Sequence, residues 1–469
     1  MKSSQLRRLA AGSLMPGFVG TTAPQWLLEA FDDGLAAVCL FGTNLQSWEQ
    51  LSDLCTQLRQ RAPHALLSVD EEGGDVTRLH YLTGSNQPGN AVLGRLNDLE
   101  ATTASAAAIA SELAAFGINL NLAPDADVNS AADNPVIGSR SFGASPQLVS
   151  AHTIAWIDGM QSTGVAACAK HFPGHGDTST DSHVDLPRIL VDAQTLAARE
   201  LLPFQAAAAA GVASIMTSHI IVDALDPQNP ATFSRIVLMD VLRGQLGFTG
   251  AIITDALDMV GASGEIGVPA AAVKALAAGA DLLCIGSETT QEQYLQVLDA
   301  IEAAVVDGTL PLSRLRDAAD RTAELEANYP ATVSLTPEAI SAPDPVPTPG
   351  GIRAAFEVTP KAVSWLEDPS DAALVQVETT TNYAVGVVPW GPAATGATVD
   401  VAQLVPGQKV AVSGRGLAKD HQVWEVAQTL RAAGHHTIVV ECGWPRGGAD
   451  IVTYGASLAV SEALVELLS

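Results

Sequence analysis

Seven short runs of apolar residues are spaced along the first 330 residues, and amphipathic segments separate them. Most positions in each run are apolar, whereas a strand with one face in water would alternate regularly between apolar and polar positions. The runs therefore predict strands of a parallel sheet that is covered on both faces. They span residues 35–41, 65–69, 118–123, 165–169, 212–217, 251–254 and 280–285.

The segments between these runs carry apolar positions at the spacing of a helix face. Trp48, Leu51, Leu54 and Leu58 form one such stripe, and Ser234 is the expected N-cap of a later helix. Strands that alternate with helices predict repeated β/α units and hence a parallel sheet.

Polar side chains follow several of the predicted strands directly. Polar groups contributed by the ends of many strands are typical of a (β/α)8 barrel, whereas an open doubly wound sheet gathers its ligand contacts at one switch point. We therefore predict an α/β fold built on a TIM-type barrel. The polar residues at the strand ends are Asp70, Glu71, Glu72, Asp125, Asp127, Ser218, His219 and Asp255.

The chain changes character after residue 330, where a proline-rich stretch lacks periodicity. We expect a barrel domain over residues 1–330, a linker over 331–350 and a smaller α/β domain over 351–469. Within the last of these, strands are expected at 383–388, 409–412 and 437–440, and a helix at 420–433.

Acidic residues outnumber basic ones by 51 to 24, so the formal net charge is −27. A chain this acidic is repelled by nucleic acid and by anionic membranes, and neither is expected as a partner. No apolar run reaches the roughly 20 residues of a membrane span. Five cysteines without paired spacing indicate reduced thiols, and the cytoplasm is the expected location.

Ionisable side chains are most concentrated in residues 170–187, with the sequence KHFPGHGDTSTDSHVDLP, directly after an apolar strand. This run combines Lys170 and His171 with a Gly-rich stretch that carries Asp181 and His183. In isolation, a Gly-Asp-Thr-Ser stretch is an ordinary surface turn. Three histidines, several aspartates and a lysine at a strand end instead favour a functional site.

Two carboxylates have plausible chemical roles. Asp181 and His183 can point to one side of an extended loop, where the Asp would fix the imidazole tautomer and make His183 a general acid and base. Asp255 lies at a strand end and is suited to act as a nucleophile, a base or a metal ligand. The structural alternative is that it caps the following helix.

Five motifs in order resemble glycoside hydrolase family 3, in its β-N-acetylglucosaminidase branch. The resemblance covers most of residues 10–325, and the Asp-Ser-His element marks that branch. The motifs are VDEEGGDVTRL (69–79), NLAPDADV (121–128), GSRSFG (138–143), the KHFPGHG…DSH run and ITDALDM (253–259).

The resemblance implies a retaining exo-β-N-acetylglucosaminidase that needs no cofactor or metal. Asp255 would be the nucleophile, and His183, paired with Asp181, the acid/base. Asp70, Arg140, Lys170, His171 and His219 would bind the sugar. Glu72 and Arg78 are weaker candidates that can pair with each other. The partner is a small carbohydrate from cell-wall fragments or chitin oligosaccharides, and the protein is a monomer or a homodimer.

Three alternatives stay open at this point. Because the acid/base is a histidine without negative charge, inorganic phosphate could attack the glycosyl-enzyme, which would make the protein a phosphorylase. A metal-dependent hydrolase could draw its ligands from a set of histidines and aspartates, namely His171, His175, Asp177, Asp181, His183, His219 and Asp255. A retired sugar-binding protein could keep the fold without activity, although Asp255 and His183 are both present.

Overall fold

The computed structural model describes residues 3–178, 186–264, 266–331, 343–368, 370–379 and 384–469. The chain forms a barrel of parallel strands followed by a smaller C-terminal sheet with helices on both faces. The predicted fold class, a TIM-type barrel with a second α/β domain, is confirmed. Asp181 and His183 lie outside the described residues.

All seven predicted strands of the barrel are present, six of them shorter than predicted, whereas β5 extends to Phe172. An additional strand, β1, precedes them, and the short pair β6 and β8 lies apart from the main sheet. The strands are β1 Leu14–Pro16, β2 Ala37–Leu40, β3 Leu66–Val69, β4 Leu120–Asn121, β5 Ala166–Phe172, β6 Arg188–Ile189, β7 Ser214–Thr217, β8 Ile221–Val222, β9 Ala251–Ile253 and β10 Leu283–Gly286.

The main sheet runs β2-β3-β4-β5-β7-β9 with every neighbouring pair parallel. An isolated bridge between Ile253 and Leu282 joins β9 to the β10 segment. Strand β10 pairs with β1, and β1 packs beside β2, which closes the ring. The carboxyl ends of the parallel strands therefore meet at one rim, where a barrel collects its functional side chains.

Helices surround the barrel, and several begin at side-chain caps. Ser47 accepts from the Gln50 amide at 3.2 Å, and Ser234 accepts from the Val237 amide at 3.3 Å, as predicted for that residue. The helices are α1 Ser3–Ala11, α2 Gln25–Asp32, α3 Trp48–Arg61, α4 Asn90–Leu96, α5 Leu99–Ala115, α6 Pro146–Ser162, α7 Ala193–Ala198, α8 Leu201–Ala209, the π-type helix Ile236–Gln245, α9 Val260–Ser263, α10 Val268–Ala278, α11 Gln291–Asp307 and α12 Leu312–Asn328.

Side chains along each barrel strand alternate between two cores. In β5, Ala166 and Cys168 belong to the cluster inside the barrel, whereas Ala167 and Ala169 pack in the cluster under the helices. The same alternation directs Lys170, two residues beyond Cys168, into the barrel mouth. The direction of the Lys170 side chain therefore follows from its position along β5 and does not depend on the loops of the rim.

The C-terminal sheet has the order β11-β15-β14-β13-β12, parallel except where β11 meets β15. Its elements are α13 Pro349–Arg353, β11 Glu357–Val358, α14 Pro360–Leu366, β12 Ala372–Gln376, α15 Gly391–Ala394, β13 Lys409–Gly414, α16 Gln422–Ala432, β14 His436–Glu441, β15 Ile451–Val452 and α17 Leu458–Leu468. The strands predicted at 409–412 and 437–440 and the helix at 420–433 are confirmed.

The strand predicted at residues 383–388 is wrong for the part that is described. Gly386 adopts φ +73°, a left-handed conformation that interrupts an extended strand, and Val387 is 80% exposed. The edge position of the sheet is instead taken by β12, whose apolar residues pair with β13.

Contacts tie the C-terminal sheet to the barrel rim. Arg78 donates to the Ala384 carbonyl at 2.8 Å, and Asp75 accepts from the Ala456 amide at 2.9 Å. The second domain therefore borders the loops that carry the candidate site. Within the described ranges, no helix combines the length and apolar character that crossing a membrane requires.

Candidate active site

A buried network of charges occupies the barrel mouth. Lys170 Nζ lies 2.6 Å from Asp70 Oδ1 and 2.7 Å from Glu72 Oε1. Arg140 donates two hydrogen bonds to Glu72, at 2.8 and 3.0 Å. Glu72 thus sits between two cations and holds both side chains in place. The expected pairing of Glu72 with Arg78 is wrong, because Arg78 reaches the C-terminal domain instead.

The network determines which of these groups are charged. Burial alone would raise the pKa of Glu72, but Arg140 and Lys170 outweigh it and hold the pKa well below its usual range. Burial would likewise lower the pKa of Lys170, yet Asp70 and Glu72 raise it above the ordinary value. Lys170, Arg140 and Glu72 are therefore all ionised at neutral pH.

Asp127 orients His171 at the centre of the site. Its Oδ2 lies 2.7 Å from His171 Nδ1, and its Oδ1 accepts from the amides of His171 and His175 at 3.2 and 2.7 Å. Arg140 Nη2 is 3.2 Å from His171 Nε2. Since the guanidinium can only donate, we assign the proton of a neutral His171 to Nδ1, facing Asp127.

Burial shifts the pKa values of two neighbouring groups toward their neutral forms. Burial, followed by the negative charge of Asp127, raises the pKa of Asp125 well above its usual range. Burial lowers the pKa of His175 to about 4. Asp127, at 2.7 Å, is the carboxylate that faces His171.

Asp255 follows β9 and lines the same cavity as the charged network. This cavity has a volume of about 410 Å³, within the usual range for small-ligand sites. Asp70, Arg140, Lys170 and His171 share its lining with Asp255. Asp255 is half-buried, and its Oδ1 accepts from the Ala256 amide at 2.8 Å. The structure therefore brings five of the sequence-predicted residues to one sugar-sized space.

His219 is placed differently from the expectation that it contacts sugar. Its Nδ1 lies 2.9 Å from the Thr232 hydroxyl, and its Nε2 lies 3.0 Å from the Ala256 carbonyl. The ring is buried and both nitrogens have partners, so it holds the backbone beside Asp255. Among the described residues, the cavity lining does not include His219.

The predicted dyad of Asp181 and His183 falls in the segment 179–185, outside the described residues. The chain just before that segment is anchored to the barrel. Asp177 lies 2.8 Å from Arg199 Nη2 and accepts from the Ser130 hydroxyl at 3.0 Å. Glu200 is fully buried beside Gly174, and burial raises its pKa to about 7.

The acidic groups at the centre do not fit a metal site well. Asp125, Asp127 and His171 bring one ligand atom each within 4.8 Å of the others. However, Arg140 Nε lies 3.9 Å from Asp125, and His171 uses its Nδ1 to bind Asp127. A cation here would face a guanidinium and displace an existing hydrogen bond.

Sequence reasoning did not assign catalytic or sugar-binding roles to Asp127, His175 and Glu200, and His175 was named only as a ligand in the metal-dependent alternative. Asp127 belongs to the NLAPDADV motif and lies two residues after Asp125. Its position directly after a predicted strand could have marked it as a residue of the site. Its partner His171 is 44 residues away, and only the fold pairs them. Glu200 lies at a helix start with no neighbouring motif, and its burial was not visible from sequence.

Comparison with known proteins gives consistent matches. The family model described as "Glycosyl hydrolase family 3 N terminal domain" matches residues 21–325. A solved structure, the glycoside hydrolase family 3 β-N-acetylglucosaminidase from Paenibacillus sp. str. FPU-7, is 30% identical with a TM-score of 0.84. That alignment covers 99% of this chain and 96% of the Paenibacillus chain.

Two curated relatives match over shorter stretches. β-Hexosaminidase A of Pseudoalteromonas piscicida is 33% identical over 337 residues, which are 66% of this chain and 56% of the relative. The β-hexosaminidase of Stenotrophomonas maltophilia (strain K279a) is 39% identical over 287 residues, 58% of this chain and 82% of the relative. The chain thus spans little more than half the length of the first relative.

Proposed function

The chain belongs to glycosyl hydrolase family 3, as its motifs predicted, and on that premise we propose that it is a retaining exo-β-N-acetylglucosaminidase. The observation that carries the proposal is the cavity of about 410 Å³ in which Asp255 meets the Asp70–Lys170 and Arg140–His171 pairs. A half-buried carboxylate beside fixed donors and acceptors suits the binding and cleavage of one sugar unit.

Asp255 acts as the nucleophile in this proposal. One of its carboxylate oxygens attacks the anomeric carbon, the bond to the leaving-group oxygen breaks, and a covalent glycosyl-enzyme forms. His219 supports this step from behind, because it holds the carbonyl of Ala256 next to the nucleophile. His219 is therefore assigned as a positioning residue.

The charged network binds the sugar. Asp70 and Lys170 present one carboxylate and one ammonium to hydroxyl groups, and Arg140 and His171 present a second pair of polar groups. Glu72 and Asp127 hold these side chains at fixed positions before substrate arrives. Such preorganisation spares the substrate the cost of ordering the site.

We assign the proton transfers to His183, paired with Asp181. As an imidazolium, His183 donates its proton to the departing oxygen. As a neutral base, it then takes a proton from water, whose oxygen attacks the anomeric carbon and releases Asp255. Sugar is freed with retained configuration because two inverting displacements occur in sequence.

A histidine acid/base also supports phosphorolysis as a second candidate. A neutral imidazole does not repel a phosphate dianion as a carboxylate would, so phosphate could replace water in the second step and release sugar 1-phosphate. A third candidate, a sugar-binding protein without turnover, predicts no release at all. The cytoplasm remains the proposed location, which the five unpaired and buried cysteines support.

Product analysis tests these candidates together. The protein is incubated with an aryl β-N-acetylglucosaminide, with and without inorganic phosphate, and the released sugar is identified. Free N-acetylglucosamine at an equal rate in both reactions supports the hydrolase. Sugar 1-phosphate at a rate that rises with phosphate supports the phosphorylase. If the wild type releases no sugar, as is expected of the Asp255→Asn variant, both the hydrolase and the phosphorylase proposals are contradicted.

A further inference from the structure

Helix α4 comes from the barrel domain but packs into the core of the C-terminal domain. Ala91 and Val92 are buried in an apolar cluster whose other members all belong to the second domain. That cluster includes Tyr454, Ala456 and Val460. Because apolar contacts of this kind are packed closely, the C-terminal domain holds one face of α4.

Polar contacts fasten the same segment to the C-terminal domain. Near the end of α4, Arg95 Nη2 lies 3.3 Å from Glu357, and the guanidinium lies 4.8 Å from the ring centroid of Tyr454. Before the helix begins, the Ser85 carbonyl accepts from the Ala459 amide at 3.2 Å. The second domain therefore contacts this segment on both sides of its buried apolar residues.

The first residue of α4 meets the turn that carries Arg140. Asn90 donates from Nδ2 to the Arg140 carbonyl at 2.7 Å. Asn90 is 2% exposed, and its Oδ1 has no hydrogen-bond partner among the described residues. A side-chain amide that is buried in this way, with one bond to a backbone carbonyl, is suited to fix the position of that carbonyl.

Gly94 brings α4 directly against the same turn. A Cβ at this position would overlap the carbonyl of Phe142, two residues after Arg140. Asn90 and Gly94 are four residues apart and so lie on one face of the helix. The distance between α4 and the Arg140 turn is therefore set by a close backbone approach at Gly94 and by a hydrogen bond at Asn90.

The Arg140 turn is joined to both sides of the sugar site. The Ser141 hydroxyl donates to the Asp127 carbonyl at 2.6 Å, and the carboxylate of Asp127 orients His171. The guanidinium of Arg140 is held by Glu72. A displaced turn would therefore change the position of the Arg140 guanidinium relative to a bound sugar, and small displacements of a binding group are costly.

We propose that Asn90 is a positioning residue for Arg140, and that the C-terminal domain supports sugar binding by holding α4 in place. The inference rests on the proposed glycosidase function, in which Arg140 binds the sugar. That contact is made in the bound substrate and in the transition state alike. A misplaced guanidinium therefore raises KM and leaves kcat nearly constant.

The Asn90→Asp variant tests the donated hydrogen bond. Asp has the same size as Asn, but an ionised carboxylate cannot donate to the Arg140 carbonyl. A carboxylate in the first turn of a helix is favourable, so a role confined to helix stability predicts no change in KM. We expect KM for an aryl β-N-acetylglucosaminide to rise roughly ten-fold, with kcat within about two-fold. Asn90→Ala removes the same bond without a buried charge and serves if the Asp variant does not fold.

Two further variants control for structural damage. Asn90→Gln keeps an amide donor and should recover part of the loss. Asn119→Asp is the matched control, because Asn119 is equally buried and donates to the Tyr329 carbonyl at 2.8 Å. It precedes β4, at the amino end of the strand and away from the site, so its variant should keep the wild-type KM. An unchanged KM for Asn90→Asp, or an equal rise in the Asn119 variant, overturns the inference and leaves the glycosidase proposal intact.

The Val92→Ala variant tests the contribution of the C-terminal domain. Truncation leaves a cavity between α4 and the second domain, so α4 is held less firmly and KM should rise by roughly three-fold. Val412→Ala removes the same atoms from a buried position of β13 in a different apolar cluster, and it should lower stability without changing KM. Equal KM values for the two variants would contradict an action of the second domain through α4.

Crystal structures of the variants separate this inference from the proposed function. If the wild type cleaves no N-acetylglucosaminide, the catalytic proposal fails, but the position of Arg140 can still be measured without substrate. In Asn90→Asp the guanidinium should move away from Glu72, whereas in Asn119→Asp both hydrogen bonds to Glu72 should persist. An Arg140–Glu72 pair that is unchanged in Asn90→Asp overturns the positioning role of Asn90.

Discussion

Arg140 and Glu72 form a doubly hydrogen-bonded pair at the barrel mouth, with N–O distances of 2.8 and 3.0 Å and both side chains almost wholly buried. Lys170 adds a third charge at 2.7 Å from Glu72. The pair links the loop after β3 to the segment that precedes α6. The Arg140–Glu72 pair therefore stabilises the barrel rim and also holds in place two side chains that line the sugar cavity.

Replacing Glu72 with Gln should destabilise the protein by about 3 kcal/mol, because two buried cations would lose their shared anion. The free energy of unfolding from urea titration measures this. Asp299→Asn is the control, since Asp299 is exposed and its ion pair with Arg7 contributes under about 1 kcal/mol. Equal stability of the two variants would contradict the structural role of Glu72.

Glu200 should make stability depend on pH in a recognisable direction. Its folded pKa, about 7, lies above the usual value of 4.5, so the folded state holds a proton that the unfolded state releases between these pH values. Stability from this group is complete below pH 4.5 and falls as pH rises toward 7, by roughly 3 kcal/mol at most.

The Glu200→Gln variant isolates this contribution, because the amide does not titrate. Unfolding free energies measured from pH 4.5 to 8 should decline less steeply for the variant than for the wild type. Parallel curves for both proteins would show that Glu200 is already ionised when folded at low pH and would contradict the raised pKa.

The Asp255→Asn variant should lose kcat on an aryl N-acetylglucosaminide by roughly four orders of magnitude, as expected when a nucleophile is removed. A fluorinated glycosyl fluoride that accumulates the covalent intermediate should add one sugar mass to the wild type. Peptide mapping should place that mass on Asp255, and the Asp255→Asn variant should stay unlabelled. A label on another carboxylate would reassign the nucleophile.

The His183→Ala variant should discriminate between leaving groups. Turnover of N-acetylglucosaminides with alkyl or sugar leaving groups should fall by roughly 10² to 10⁴, because these oxygens need a proton to depart. Activated aryl substrates need less assistance, so their first step should be affected less. Unaltered turnover of unactivated substrates would remove His183 from the mechanism.

The His219→Ala variant should lower kcat by roughly 10- to 100-fold with little change in KM, since His219 holds the Ala256 carbonyl rather than the sugar. His219→Gln retains an N–H donor at a similar distance and should recover part of the loss. A rise in KM with constant kcat would instead restore His219 to direct sugar contact.

Much of the barrel followed from the pattern of apolar residues. Seven strands were predicted within a few residues of their bounds, because continuous apolar runs mark strands that are buried on both faces. The positions of Asp70 and Lys170 in the mouth follow from the alternation of side chains along a strand. The strand expected at 383–388 failed because apolar composition does not reveal the turn at Gly386.

The partners within the site depended on the fold. Glu72 was expected beside Arg78, six residues away, but pairs with Arg140 and Lys170 from distant segments. Local spacing favoured the near partner, whereas the closed ring of strands brings the distant ones together.

The sequence by itself determined the family, the strands that build the barrel and the residue types at its rim, because these are written in local periodicity and in contiguous motifs. The tertiary structure decided which charges meet, which of them are buried, and that Ala384 of the second domain lines the sugar cavity. Burial and ion pairing depend on contacts between residues that are far apart in the chain. Their contributions to the stability of the folded protein therefore cannot be determined from local sequence.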